Sequence, residues 1–353
     1  MRVLVIGAGI AGLMVARELA SRGASVEVAD PRGPMGGATG AASGIVTLQL
    51  PEPPLSWSVE SLDLYESLGV ARRLPGILVA PGECIGGLLE LRYHGVEAGA
   101  LSPGEASRLA GLPIEPPNGW GTGYTLEALV DLGGLLSRLT SPPPGPIRPV
   151  EADPWRALRD GFDVVVVAAG AWTPMVLGAP ASEVAGSALY NCEASSVRLP
   201  GGSLEAILYV EHDGESAYAV PEAPGRAIVG DGPNRILGEP GEAAPEPGTP
   251  YEVLEELARV SPVFEESYPT SSWAAPCMIT GDGLPAVGEW VEGVYVFAGL
   301  DGYGLMAAPA LARLLADAIT RGRPLPASLD PHRRARPWSG EGPPPEPWRT
   351  CGS

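Results

Sequence analysis

The stretch Met1–Asp30, MRVLVIGAGIAGLMVARELASRGASVEVAD, constrains the fold more than any other part of the chain. Arg2–Ile6 is a short apolar run rich in β-branched residues, the length of one buried parallel strand. Gly7, Gly9 and Gly12 follow as G-x-G-x-x-G. The first permits a tight turn, and the second lets backbone approach a pyrophosphate. The third lets a helix lie close on the strand. A helix is predicted over Ile10–Arg22, with Leu13, Ala16, Leu19 and Ala20 at helical spacing and Gly23 at its end. Its first N–H groups, around Ile10 and Ala11, and its dipole would face a diphosphate. Val26 and Val28 build a second strand, and Asp30 at its end is placed to accept hydrogen bonds from a ribose diol. Strand, glycine turn, helix, strand and acid in register point to a bound dinucleotide, with FAD and NAD(P) both open.

Composition narrows the field. The 353 residues suffice for two domains or one large discontinuous one. Formal net charge is −19, and all 23 basic residues are arginine. Nucleic acid is not expected as a partner, because phosphate contacts need a basic face. Lysine chemistry is excluded outright. Cys84, Cys192, Cys277 and Cys351 are scattered without a C-x-x-C, and are expected to be four free cytosolic thiols. His94, His212 and His332 do not pair at metal-ligand spacing, so no metal is expected. No apolar run is long enough to span a membrane, and no targeting segment is seen, so a cytoplasmic location is expected.

Further along, the small residues of Gly36–Gly44 would let backbone pass close to a planar ligand. Pro51–Pro54 breaks the chain, and Leu55–Leu68 looks helical. Ile77–Ala80 and Leu88–Arg92 are expected as strands. Ser102-Pro103-Gly104-Glu105 opens a short helix. A second helix is expected over Thr125–Leu139 with Thr125 as its N-cap, and a short strand over Ile147–Val150. Four consecutive valines in Phe162–Trp172 (FDVVVVAAGAW) read as a strand buried on both faces. Residues 186–275 alternate like an antiparallel sheet, with strands near Ala206–Glu211, Ser216–Val220 and Arg226–Val229 and a helix over Tyr251–Val260. The strand Gly293–Ala298, the loop Gly299–Gly304 and the helix Leu305–Arg321 repeat the strand–glycine–helix pattern. Ser339–Ser353 reads as loosely ordered.

Four motifs together resemble one family. They are GAGIAG with Asp30, GGATGAASG, VVVVAAGAW, and the pair GDGLPAVG and FAGLDGYGLMAAP. The chain is similar to the FAD-dependent amino-acid and amine oxidoreductases: D-amino-acid oxidase, glycine oxidase, sarcosine oxidase and dye-linked proline dehydrogenase. The resemblance runs over about residues 1–325 and implies an α/β fold. A Rossmann-type FAD domain (1–76, 120–185 and 276–329) would be interleaved with an antiparallel-sheet substrate domain (77–119 and 186–275), followed by a proline-rich tail (330–353). It also implies that Gly7, Gly9, Ile10, Ala11 and Gly12 hold the diphosphate, and that Asp30 holds the adenosine ribose. Pro31 and Arg32 would lie beside the adenine end, with Val150 in backbone contact. Thr39, Ala42, Ser43, Gly44 and Ile45 would flank diphosphate and flavin, and Ala169, Gly170 and Trp172 would line the cofactor. Asp301, Gly302, Tyr303, Gly304, Leu305 and Met306 would meet the pyrimidine edge of the flavin, where backbone donors stabilise the reduced ring.

The implied reaction is hydride transfer from the carbon next to an amine to flavin N5. Proline, sarcosine, glycine or a D-amino acid would be the substrate, with Ile45, Tyr218, Cys277 and Tyr303 lining its pocket. Three departures stand out. Cys277 falls where carboxylate-binding members carry an arginine. Val46, Thr47 and Leu48 stand where sarcosine-oxidase-like members carry another. Glu222 follows Pro221 in place of a third. Arg226 or Arg235 would have to supply the clamp. Cys277-Met278 is similar to the cysteine that carries covalent flavin in sarcosine oxidases, but it lies closer to Asp282, so a buried thiol or pocket wall is expected instead. Several family oxidases place a lysine near the flavin; none exists here, which favours a dehydrogenase passing electrons to a quinone, dye or partner subunit. An oligomer is expected. A non-catalytic or electron-relay subunit of a hetero-oligomer is the alternative, and an NAD-dependent reductase a third reading.

Overall fold

A computed structural model describes residues 1–50, 54–340 and 345. The N-terminal unit forms as its glycines dictate. Strand β1 (Arg2–Ile6), helix α1 (Ile10–Ser21) and strand β2 (Ser25–Ala29) make a parallel pair with Val5 opposite Val28. Two glycines set the spacing. A Cβ on Gly12 would lie 1.9 Å from the Gly7 carbonyl oxygen, so only glycine lets α1 settle on β1. A Cβ on Gly7, at φ +111°, would lie 2.2 Å from the Ala168 oxygen.

The chain then leaves this sheet. Helix α2 (Ala38–Ala41), strand β3 (Ile45–Val46) and helix α3 (Pro54–Ser67) lead to the long strand β4 (Ala71–Pro81). Helix α4 (Gly82–Glu90), strand β5 (Ala98–Leu101) and helix α5 (Pro103–Ala110) precede a second long strand, β6 (Trp120–Val130). As expected, Ser102 caps α5, in a reciprocal capping box with Glu105. After helix α6 (Leu132–Thr140), strand β7 (Ile147–Arg148) pairs with β2. Helix α7 (Pro154–Arg159) leads into strand β8 (Val164–Val167), parallel to β1. Helix α8 (Thr173–Leu177) gives way to a meander of β9 (Ala188–Arg198), β10 (Ile207–His212), β11 (Glu215–Ala223) and β12 (Arg226–Asp231). Strand β13 (Ile236–Leu237), helix α9 (Thr249–Ala258) and strand β14 (Tyr268–Ile279) complete that region. Strands β15 (Ala286–Val291) and β16 (Val294–Ala298) return to the first sheet, and helix α10 (Gly304–Arg321) follows.

Two sheets result. The first runs β15-β16-β8-β1-β2-β7, parallel except for its β15 edge. The second runs β13-β9-β12-β11-β10-β4-β6-β3, with β14 on β9 and β5 on β6. Alternate residues of β1 feed opposite faces of the first sheet. Val3 and Val5 join Leu13, Leu311 and Leu315 on one side, while Leu4 and Ile6 join Ala157 and Leu177 on the other. Both faces are covered, which is why the valine run of β8 carries no polar alternation.

Helix α10 carries Pro309, which has no N–H to offer the Leu305 carbonyl one turn earlier. The fully buried Tyr65 of α3 supplies that donor, its hydroxyl reaching Leu305 O at 2.8 Å, and burial raises its pKa far above that of a free phenol. Ser61 Oγ donates to Met306 O at 2.6 Å. The start of α10 is therefore tied to α3. Its far end is tied to α1 through Asp317, which accepts from Arg22, Arg321 and Arg323 and is held below the usual carboxylate range, chiefly by Arg22.

Two expectations need correcting. Thr125 does not start a helix: Thr125–Val130 ends the long strand β6, paired antiparallel along β4, and α6 begins only after Asp131. Leu88–Arg92 is not a strand but the end of α4 and a short 3-10 turn. The segment just before Ser339 is packed. Arg333 pairs with Asp282, His332 stacks on Trp290, and Trp338 meets Tyr190 edge-on. The expectations for residues 51–53 and from 341 onward, apart from Pro345, lie outside the described residues. No helix among the described residues is long and apolar enough to cross a membrane.

Candidate active site

Between the two sheets lies a cleft of about 330 Å³. Gly9, Ile10 and Ala11 bring the first turn of α1 to its wall, and Gly302–Met306 bring the first turn of α10 beside it, a Cβ on Gly304 lying 3.3 Å from Ile10 Cγ2. Each helix start leaves backbone N–H groups without intrahelical acceptors and carries partial positive charge. Thr39 Oγ1 accepts from Ile10 N at 3.1 Å and so ties α2 to the first of these ends. Asp30 lines the cleft and is 7% exposed. Its oxygens accept from Ala8 N at 2.8 Å and Arg32 N at 2.9 Å, which fixes the carboxylate and leaves lone pairs for a diol. The Arg32 guanidinium lies over Trp172, 3.3 Å from the ring centroid. Cβ atoms on Gly170 and Gly302 would meet nothing within 4 Å. A flat, charged, elongated ligand such as FAD fits these features: two helix ends, a fixed acid and glycine surfaces left open.

Most predicted residues meet here. Asp30, Arg32, Thr39, Ala42–Ile45, Ala169, Gly170, Trp172, Tyr218, Cys277 and Asp301–Met306 all line the cleft. Gly7 and Gly12 lie behind it in the packing described above. Pro31 and the half-exposed Val150 lie outside its lining.

The wall away from the first sheet is the face of the second. Pairing sets Tyr209 of β10 opposite Tyr218 of β11, and Tyr218 opposite Gly230 of β12. Gly230 is opposite Ala194 of β9, and Ala194 opposite Trp273 of β14. Two tyrosines, two small residues and a tryptophan thus follow one another across this face, with the Tyr218 ring lying over Gly230. The rings are fixed through their polar atoms. Tyr218 Oη pairs with Ser43 Oγ at 2.7 Å, Trp273 Nε1 donates to Ala41 O at 2.8 Å, and Tyr190 donates to Asp301. Tyr209 donates at 2.6 Å to Glu127, which is wholly buried and also accepts from Thr47, Thr125 and Leu48 N. Burial raises the pKa of Glu127; the four donors pull the other way. Burial likewise raises Tyr209 and Tyr218, so both stay neutral phenols.

The cysteines overturn an expectation. Cys192 and Cys277 are not free thiols. They form a disulfide linking β9 to β14 in the cleft wall, with Cα atoms 5.9 Å apart. Among the described residues no cysteine is free. Scattering along the sequence hid a pair that sheet register brings together, with Cys277 two places from Cys192 along the β9–β14 ladder. A thiol in that bond cannot carry covalent flavin. The bond closes a loop with a sequence separation of 85, so reducing it, or replacing both residues by serine, is expected to cost about 2–4 kcal/mol. Thermal melts with and without a phosphine reductant read this out; coincident melts would mean the bond contributes nothing.

Neither arginine proposed as a clamp takes that role. Arg226 pairs with Glu222 and Ser196, Arg235 pairs with Glu246, and neither lines the cleft. Motif reading also missed Glu127, Tyr209, Glu211, Asp231 and Trp273. The alternation in Ile207–His212 was the available signal for Tyr209 and Glu211, but its two faces are distinguishable only once the sheet is placed.

A family model described as FAD dependent oxidoreductase (DAO) matches residues 2–139 and 145–318. The chain belongs to this family. FAD is its cofactor. Among its relatives is glycine oxidase of Pseudomonas aeruginosa, 28% identical over 94% of this chain and 97% of that protein. The fold is shared with the crystal structure of glycine oxidase from Geobacillus kaustophilus, at TM-score 0.78 and 24% identity over 94% of this chain and 99% of the other. It is also shared with L-proline dehydrogenase from P. horikoshii, at TM-score 0.81 and 21% identity over 95% and 99%. In this chain, segments from near both ends of the sequence contribute to one cleft. The resemblance seen in the sequence motifs thus extends to the fold, in which a Rossmann-type sheet is joined to a largely antiparallel one.

Proposed function

We propose that this chain oxidises a small amine or amino acid at the carbon next to its nitrogen. The carrying observation is the continuity of one cleft, from the α1 N-terminus and Asp30 through the α10 N-terminus to the tyrosine-walled hollow under the second sheet. When bound, FAD would supply the acceptor for the hydride of the C–H bond that breaks, while the nitrogen lone pair closes a C=N bond that water then hydrolyses. The protein's part is placement. Gly9–Ala11 and Asp30 hold the diphosphate and ribose, and Gly302–Met306 present backbone donors where negative charge develops. Tyr190, Tyr209 and Tyr218, immobilised through their hydroxyls, orient the amine over the ring and exclude water. No proton relay is needed if the amine binds neutral. With no lysine in the chain, electrons pass to a quinone, a dye or a partner subunit in preference to dioxygen.

Anaerobic addition of glycine, sarcosine, proline, D-alanine and simple amines to the yellow protein tests the proposal. Bleaching of the visible flavin bands by at least one of them is the expected result, with slow recovery when air is readmitted. A protein that holds flavin yet is bleached by none of them would be a relay subunit and not an amine oxidoreductase.

A further inference from the structure

The cleft wall carries a redox-capable pair that amine oxidation does not use. Along β9 and β14, Tyr190, Cys192 and Ala194 stand opposite Cys277, Ala275 and Trp273, so period-two alternation puts all six on one face. That face is turned to the segments proposed to hold the cofactor. Trp273 Nε1 donates to Ala41 O of α2 at 2.8 Å, and Tyr190 donates to Asp301. The Cys192–Cys277 disulfide lies between these two anchors, and both cysteines line the cleft. Backbone adds a third tie, since Asp301 N donates at 3.1 Å to the carbonyl of Met278, the neighbour of Cys277. Asp301 directly precedes Gly302–Met306, the segment proposed to meet the flavin.

Access decides which oxidant can serve this pair. Cys277 is 6% exposed and Cys192 is half-buried. Trp338 packs against the same cluster from the C-terminal segment. A large partner with a disulfide of its own would find little sulfur to approach. The cleft itself admits a two-electron oxidant, FAD, along the wall that holds the bond. Energetics set the direction. A disulfide held in a folded framework and shielded from solvent resists reduction, so the open dithiol is a strong reductant. Electrons run from sulfur to flavin.

We propose that FAD in the cleft closes the wall of its own site, oxidising the Cys192–Cys277 dithiol to the disulfide. Two S–H bonds break and one S–S bond forms. The sulfurs give up two electrons, which with the two thiol protons convert FAD to FADH2. The acceptor that serves amine oxidation, a quinone, a dye or a partner subunit, then reoxidises the flavin. This chemistry rests on the cofactor placement proposed above and not on the identity of the amine.

The test starts from the chain stripped of FAD, a portion of which turns yellow again when FAD returns. A phosphine opens its disulfides under nitrogen and is removed by gel filtration. One equivalent of FAD is then added without air. Thiols are trapped with iodoacetamide at intervals and mapped by mass spectrometry. The expected result is bleaching of the flavin together with loss of the Cys192 and Cys277 thiols, about 100-fold faster than in chain given no FAD. Cys84 is also disulfide-bonded but sits on α4 outside the cleft lining, so its thiol should persist. Cys192→Ser and Cys277→Ser chains should leave added FAD yellow. A parent chain that binds FAD, stays yellow and keeps both thiols would overturn the proposal and leave the bond a structural brace. A reduced chain that binds no FAD would also overturn it. So would closure at the same rate without FAD, or equal closure at Cys84. All of these outcomes leave amine oxidation standing, because amine additions to the untreated enzyme test that separately.

Discussion

A Gly12→Ala variant is expected to purify colourless, to stay colourless with excess FAD, and to melt well below the parent. The single added carbon would lie 1.9 Å from the Gly7 oxygen, 2.9 Å from the Gly7 carbonyl carbon and 3.4 Å from a Val5 methyl. Two of these neighbours are backbone and cannot rotate away. Gly7 cannot retreat either, because it is pressed against the backbone of Ala168, the residue after β8. The helix must therefore lift from β1, and the N–H groups at its start move off the cleft. Overpacking of this kind costs about 3 kcal/mol, at the upper end of the usual range. Gly302→Ala is the matched control. Its Cβ would meet no protein atom within 4 Å, so its stability should stay within about 0.5 kcal/mol of the parent. Melting curves separate the two, and flavin absorbance per chain after gel filtration reads the loss of cofactor in Gly12→Ala. A yellow Gly12→Ala protein with the parent's melting temperature would refute the close-approach argument.

Glu127→Ala is expected to destabilise the protein by about 4 kcal/mol, because it leaves buried donors from Thr47, Thr125, Tyr209 and Leu48 unsatisfied. The same residue gives a pH signature. The pKa of Glu127 is raised from its ordinary value of 4.5, chiefly by burial. Below that value the acid is protonated in both the folded and the unfolded chain. As pH rises above about 4.5, the unfolded chain ionises first, and folding holds a proton the unfolded state has released. Stability from this group therefore falls as pH climbs toward the folded pKa and then levels off. Glu127→Gln does not titrate, so its stability relative to the parent should improve over that window. Denaturant melts of the two proteins at a series of pH values measure the difference. A difference independent of pH would show that Glu127 does not titrate as argued.

The sequence was most legible where geometry demands a particular residue. Gly7, Gly9 and Gly12 announced β1, α1 and β2, and the valine run announced a strand buried on both faces. It was least legible where tertiary pairing overrides local preference. Thr125–Leu139 carries apolar residues at spacings a helix would accept, yet its first part pairs with β4, and the helix starts after Asp131. The cleft divides along the same line. Residues proposed to hold the cofactor lie in glycine-rich loops with fixed spacing. Residues of the sheet wall of the cleft lie on β9, β10, β11, β12 and β14, and their convergence depends on sheet order. The Cys192–Cys277 bond is a product of that order, and no local spacing encodes it.

Helix α10 rests on α1, and Arg22 meets Asp317 across 295 residues of sequence. During synthesis this has a temporal consequence. The first helix emerges from the ribosome early, but the surface it must lie against is made nearly last. Until α10 arrives, the apolar stripe of Leu13, Met14 and Leu19 has no lasting cover, and the nucleotide cradle has only one of its two ends. With FAD held as proposed, a ribosome stalled before α10 would hold a polypeptide that lacks the Gly302–Met306 part of the site.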